Sequence, residues 1–322
     1  MCVDDVVGYE VVLAHGYVTT ATAKKNEDLF KALKGGLNNL GVVTKFVVNA
    51  FPAHEVYGGL AAFLWDKKDA VVGRFIKMVD DTAKNRAETG FVALSWSPGP
   101  APPNVAFITA NVDGETNTTF TNGVTDIGPV FDARAKMPLT GLTGQLASTL
   151  GLYNVWYTLS FHNTEDMGRK VTEVFESVVA DLQTRNIDEQ IQLIFVLTPL
   201  PKTFGDKGAS TILGLDKMEK NSIVLQPEVI MPSKKYKALL QDKLRAATAE
   251  IEAYAKSTGQ DTPFRYINYA NPEQNPLASY GAENARFLLK TAMRYDASRY
   301  LQTAVAGEFK LADIRSFEDV GR

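Results

Sequence analysis

Near its C-terminal end the chain brings two phenols and a carboxamide into four residues, Tyr266-Ile267-Asn268-Tyr269. As bare residues they read as an alternating strand, with Tyr266 and Asn268 on one side and Ile267 and Tyr269 on the other, a strand edge with aromatic packing. A phenol can act as a general base, but with an ordinary pKa of about 10 it needs that value lowered, or proton loss coupled to another bond change. Other chemistry-bearing groups are sparse. Of the three histidines, His54-Glu55 begins like H-E-x-x-H, but Gly58 stands at the second ligand position and rules out a zinc-protease helix. His15 precedes Gly16 in a two-residue hairpin turn, and His162 ends a strand as a loop histidine. No metal site is expected. There is no G-x-S-x-G elbow, and the single cysteine, Cys2, has no histidine partner for nucleophilic catalysis.

A second stretch, residues 26–52, reads as helix, glycine turn, strand and exit. Asn26 is a good N-cap with Glu27 and Asp28 in the first turn. Leu29, Phe30 and Leu33 make one apolar face, and Gly35-Gly36 ends the helix. Gly41 then opens the β-branched run Val42-Val43-Thr44. A glycine-lined turn lets a ligand approach bare backbone. Two phosphate-binding patterns fail here, however. Gly36 and Gly41 have P-loop spacing but are followed by valines, and no G-x-G-x-x-G is present. On spacing alone this is a structural turn.

The elements that would position these residues come from hydrophobic periodicity. Residues 9–14 and 17–21 are strand-like. Strands are expected over residues 56–65, 91–97, 105–112, 152–161, 190–197 and 222–230. Helices are expected after Asp66 with Val71, Phe75, Met78 and Val79 on one face, after Thr164 with Met167, Val171, Val174, Val178 and Leu182, and after Pro232-Ser233 with Tyr236, Leu240, Leu244, Ile251 and Tyr254. Strands joined by hairpins or helices, without a phosphate loop, predict an α+β fold with a mostly antiparallel sheet covered by helices on one face. Residues 137–150 are too rich in glycine and threonine to assign. Tyr157, Gln192 and Gln226 fall on expected strands and could line a pocket or be ordinary polar residues of a sheet.

Composition narrows the function classes. The 322 residues are 45% hydrophobic and 22% charged, ordinary for a globular protein of one or two domains. A formal net charge of −3 leaves no basic excess for a nucleic-acid partner. The apolar runs are strand-sized, so no membrane span is expected. One cysteine allows no internal disulfide.

The two stretches resemble a known family. Asp28, Leu29, Phe30, Ala32, Leu33, Gly35, Gly36, Asn39, Gly41, Val42, Val43, Thr44 and Phe46 fall on the pattern D-L-F-W-A-L-R-G-G-G-x-N-F-G-V-V-T-x-F, with Lys31 and Leu40 departing from it. Tyr266, Asn268 and Tyr269, then Tyr280, Gly281, Asn284 and Leu288, then Tyr295, Asp296 and Gln302 follow Y-x-N-Y, Y-G-x-N-x-x-x-L and K-Y-D-P-x-x-x-F-Q, with Ala297 and Leu301 departing. Together they resemble the vanillyl-alcohol-oxidase and berberine-bridge-enzyme superfamily of FAD-linked oxidoreductases with a PCMH-type FAD domain, and the tail G-E-F-K-L resembles its fungal branch. The resemblance implies FAD as cofactor, touched by backbone at Gly41, Val42 and Val43 and by Tyr266 and Asn268, with Tyr269 as catalytic base. It implies oxidation of a small organic substrate of secondary metabolism by hydride transfer to flavin, with O2 as acceptor.

It also implies an organisation: residues 1–52 as the C-terminal part of an FAD-binding domain, 53–263 as a substrate-binding domain, and 264–322 as a berberine-bridge-like segment returning to the FAD domain. The family's pyrophosphate-wrapping loop belongs to a region upstream of Met1. The alternative reading is therefore an inactive substrate-domain lobe or binding subunit without flavin, self-associating or completed by a separate N-terminal chain.

Overall fold

The computed structural model describes residues 1–145, 150–307 and 309–314. In chain order it runs β1 (Val6–Val12), β2 (Val18–Thr22), α1 (Glu27–Leu33), β3 (Val42–Val48), β4 (Val56–Leu64), α2 (Lys68–Asp81), β5 (Glu88–Trp96) and β6 (Asn104–Asn111). There follow α3 (Thr119–Asp126), β7 (Phe131–Asp132), β8 (Ala135–Met137), α4 (Leu139–Gln145), β9 (Tyr153–Trp156), β10 (Leu159–His162) and α5 (Glu165–Gln183). The chain ends through β11 (Gln192–Leu200), β12 (Ser222–Met231), α6 (Lys237–Ser257), α7 (Ala282–Tyr295) and α8 (Tyr300–Thr303). The fold is α+β with antiparallel sheets.

Two compact units result. The first comprises Met1–Pro52, Lys202–Glu219 and Pro263–Arg322; the second, Ala53–Pro201 and Lys220–Thr262. The sequence reading assigned residues 202–219 to the middle region; in the structure they lie in the first unit, where Ile212, Leu213 and Leu215 are buried.

The second unit is a nine-stranded antiparallel sheet whose main path is β10-β12-β11-β5-β6-β4-β7, with β8 on β4 and β9 on β12. Alternation decides which face is covered. Ile223, Leu225, Val229 and Met231 of β12, Leu193, Phe195 and Leu197 of β11 and Val92, Leu94 and Trp96 of β5 share one core with α2, α5 and α6. Phe175 of α5 is fully buried there, 5.3 Å from both the Trp65 and the Phe195 rings. On the opposite face Leu142 of α4 packs with Val56 and Ala110. The expected single strand over residues 152–161 is split into β9 and β10. Both pair with β12, and the break falls opposite Pro227, which has no N–H to donate; Tyr157 N–H donates to its carbonyl instead.

In the first unit β1 lies between β2 and β3. Asn26 sits at the head of α1 as expected, but with φ 50° its side chain does not cap the helix; it donates to the Thr20 carbonyl and the Thr19 hydroxyl, tying α1 to β2. The hairpin loop spans residues 13–17, and Gly16, not His15, holds the positive φ. In the C-terminal tail Glu308 lies outside the described residues, as do 146–149 of the unassigned glycine-rich stretch.

Replacing Phe175 with alanine removes a ring from the centre of the second unit's core. The expected cost is about 3–5 kcal/mol, read as a lowered urea midpoint at unchanged m-value; a shift under about 1 kcal/mol would contradict this packing.

Candidate functional site

The Tyr266–Tyr269 stretch is not a strand. Tyr269 N–H donates to the Tyr266 carbonyl at 2.9 Å, closing a 3₁₀ turn over Ile267–Tyr269. Pro263 and Pro272 flank the stretch, and the Asn271 side chain accepts from Glu273 N–H, so the local chemistry favours turns over ladder pairing. This reverses the facing expected from alternation. Residues i and i+3 of a 3₁₀ turn eclipse, and the Tyr266 and Tyr269 rings meet edge to face at 4.9 Å. Asn268 is exposed and donates its Nδ2 to the Tyr266 hydroxyl at 3.0 Å. The Tyr266 pKa is pushed up, first by burial and then by Tyr269 and Cys2, with the Asn268 hydrogen bond acting the other way. Tyr266 therefore stays a neutral phenol, a donor and acceptor rather than a base.

The glycine turn is filled by its own chain. A Cβ on Gly41, whose φ is +153°, would stand 2.5 Å from Val11 Cγ1 and 2.9 Å from the Val12 carbonyl. Glycine is required there for β3 to close against β1, not to open a cradle. Val42 and Val43 follow on β3, an edge strand with most of its side chains exposed. Asn39 is completely buried and gathers four bonds: its Nδ2 donates to the carbonyls of Gly36 (2.9 Å) and Phe309 (3.0 Å), its Oδ1 accepts from Leu311 N–H (3.3 Å), and its own carbonyl accepts from Gln302 Nε2 (3.3 Å). Beside it Asn38 donates to the Ala306 carbonyl, and buried Lys310 Nζ donates to Asn38 Oδ1 and the Leu301 carbonyl.

The remaining pattern residues of this unit have similar duties. Asp28 accepts from the Tyr295 hydroxyl (2.9 Å) and from Arg294 Nη1 (2.8 Å). Burial and that carboxylate push the Tyr295 phenol up to about 12. Asp296 caps α8 through Tyr300 and Leu301 N–H. Tyr280, buried, donates to the Gly35 carbonyl. The sequence patterns thus map mainly onto architecture.

In the second unit, sequence reasoning undervalued one pair and missed half of it. Gln226 and Glu228 lie two residues apart on β12, on the face away from α2, α5 and α6, with only 6% and 9% of their surface exposed. Gln226 Nε2 donates to Glu228 Oε2 at 3.1 Å. Burial raises the Glu228 pKa, against the opposing effect of that bond. A buried carboxyl held toward its protonated form is a recurrent device for moving protons near neutrality. The available signal was the Ser222, Gln226 and Glu228 alternation in an otherwise apolar strand. Tyr157, by contrast, points into the helix-covered core, and Gln192 is an exposed strand end. His162 lies 3.4 Å from the Ser222 hydroxyl, its pKa lowered by burial and by Lys220. Among the described residues no group of three or more His, Cys, Asp or Glu could hold a metal, and no helix is long and apolar enough to cross a membrane.

For a flavin, the residues fit in part. The exposed Asn268 carboxamide beside two phenols offers the mixed donors and acceptors that a heteroaromatic ring edge requires. The Gly41 turn, filled by Val11 and Val12, is not an open cradle for a diphosphate.

No family model matches the chain. It is 28% identical over 318 residues, 97% of its length, to the FAD-dependent monooxygenase drtC of Aspergillus calidoustus, of which the match covers 60%. It is 26% identical, over 94% of its length, to the FAD-dependent monooxygenase sdcF of Emericella nidulans, of which 64% is covered. The chain thus spans about three-fifths of the length of these curated relatives. Among solved structures, a variant of berberine bridge enzyme superposes with a TM-score of 0.71 at 11% identity, covering 94% of this chain and 66% of that one. That likeness is one of fold.

Two outcomes test these assignments. Asn39→Ala strands Gly36 and Phe309 carbonyls and Leu311 N–H, and should cost about 2–3 kcal/mol, with faster proteolysis near residues 302–311 as the local readout. Glu228 binds its proton more tightly folded than unfolded, so its contribution is fully favourable below the unfolded pKa of about 4.3 and is lost as pH rises through the raised folded value. Urea midpoints of Glu228→Gln relative to the parent should therefore rise from pH 4 to pH 7; a flat difference would contradict the burial argument.

Proposed function

We propose that this protein, a relative of fungal proteins named as FAD-dependent monooxygenases, is an FAD-dependent oxidoreductase acting on a small organic molecule of secondary metabolism. The observation that carries the reading is 28% identity to such a protein over 97% of the chain. Tyr266 and Asn268 by their side chains, and the main chain of Gly41, Val42 and Val43, are the residues that would hold the flavin ring; the Gly41 turn, filled by Val11 and Val12, would not take the diphosphate. FAD, when bound, supplies the electron-accepting chemistry, as hydride acceptor from the substrate and with O2 taking the electrons onward.

The chain's own residues bind, orient and move protons. Asn268 is oriented by its bond to the Tyr266 hydroxyl, which leaves its carbonyl and second N–H available to a ligand. Tyr266 remains a neutral phenol because burial disfavours the phenolate. Tyr269, braced edge-on against that ring, is the general base: its own proton must leave first, and as the phenolate it would take the proton that the substrate loses as its hydride departs.

A second reading, a lobe that binds no flavin alone, is favoured by one observation: the glycine turn is occupied by Val11 and Val12 rather than open to a diphosphate. Incubation of the purified chain with FAD, followed by desalting, separates the two. A retained visible flavin band near ~450 nm supports the oxidoreductase reading; a colourless protein overturns it for this chain in favour of the lobe. With flavin retained, Tyr269→Phe should lower kcat/KM by about 10²–10⁴ at unchanged flavin content. An effect under tenfold would move the base elsewhere.

A further inference from the structure

Within the first unit a cavity of about 380 Å³ is lined by α7 and by the segments that follow it. Leu289 and Met293 of α7 form one wall, and Ala297, Leu311 and Ile314 contribute the others. That volume lies in the range of small-molecule sites, which are mostly apolar with a few placed polar groups. Met293 is 68% exposed, and its thioether adapts readily to an irregular apolar ligand. Ala297 stands where the sequence pattern has proline, so this wall is particular to the present chain. None of the residues proposed above to hold flavin or to take the substrate proton lines the cavity.

Three polar residues belong to the lining, and two are already engaged. Asp296 is buried and accepts from the Ser298 hydroxyl and from Tyr300 and Leu301 N–H. Gln302 donates to the Asn39 carbonyl and accepts from Ala312 N–H. Arg299 is different: it is exposed, and its guanidinium has no hydrogen bond or ion pair among the described residues. Its backbone is left-handed, φ 57°, a conformation fixed by its N–H on the Asp296 carbonyl and by Gln302 and Thr303 N–H on its own carbonyl. An apolar cavity with one unpaired guanidinium selects an apolar body carrying a single anionic head. A carboxylate matches the guanidinium fork, whereas the Asp296 carboxylate in the same lining disfavours a doubly charged phosphate. We propose that this cavity binds an amphipathic carboxylic acid, its apolar body against Leu289, Met293 and Leu311 and its carboxylate on Arg299. Gln302 and Leu311 also serve the Asn39 network, so an occupant stabilises the same segments that the buried carboxamide ties. The inference goes beyond the oxidoreductase reading and does not rest on it.

The probe is octanoate, titrated calorimetrically into the full chain below its micelle-forming concentration and at fixed ionic strength, with octanol as the uncharged counterpart. Octanoate should bind saturably, about tenfold more tightly than octanol, and should slow hydrogen exchange at residues 289–293 and 311–314. Arg299→Asn keeps a residue type that tolerates the left-handed backbone; it should weaken octanoate about tenfold and leave octanol unchanged. Ala297→Trp fills the cavity and should remove both ligands, with circular dichroism unaltered. Absence of saturable octanoate binding overturns the proposal. So does equal affinity for acid and alcohol, or octanoate binding that survives both substitutions, since the acid then sits elsewhere. The comparison of the two ligands on the unsubstituted chain decides the head-group assignment even where a variant fails to fold.

Discussion

The first unit depends on satisfying one buried carboxamide. Asn39 has no access to water, so each of its polar atoms must find a partner within the chain. Those partners, at Gly36, Phe309 and Leu311, lie in segments about 270 residues apart in sequence. Asn38 and Lys310 add bonds across the same two segments. Asp28 with Arg294 and Tyr295 makes a second tie between the same regions of chain. Side-chain bonds of this sort add little net energy when made and cost several-fold more when half of one is removed. They therefore specify which ends meet more than they hold them together, while the burial of Leu29, Leu40, Leu288 and Leu301 supplies the bulk of the attraction.

This division of labour explains what could be read in advance. Sequence periodicity located the three long helices and most strands of the second unit but not α3 or α4, because one covered face imposes alternation on strands and a 3.6-residue stripe on long helices. The split at Tyr157 was invisible because its cause, Pro227, sits on a different strand. The turn at Ile267–Tyr269 was read as extended because two aromatic residues and an isoleucine favour strands, whereas the flanking prolines and the Asn271 turn decide the backbone. Residues 202–219 carry buried Ile212 and Leu215, which could belong to any core, so nothing local marks the unit they join.

The candidate site was legible by residue type more than by role. Tyr266, Asn268 and Tyr269 are neighbours in the structure, as their spacing required, but the 3₁₀ turn sets the two phenols against each other rather than on opposite sides. Glu228 escaped notice because a lone glutamate after a proline resembles a strand-end charge; only its burial beside Gln226 distinguishes it. In both places desolvation shifts the chemically interesting group toward its neutral form. Such groups steer protons through position and local dielectric rather than through net charge.

The first unit is assembled from three separated pieces of chain, whereas the second needs only two. During synthesis Asn39 cannot find Phe309 or Leu311 until the roughly 270 residues between them have been made. Contacts of such sequence separation are slow to form, because a long loop must close before any of them is rewarded. The same carboxamide that defines the finished lobe thus ties its completion to the closing of one long loop.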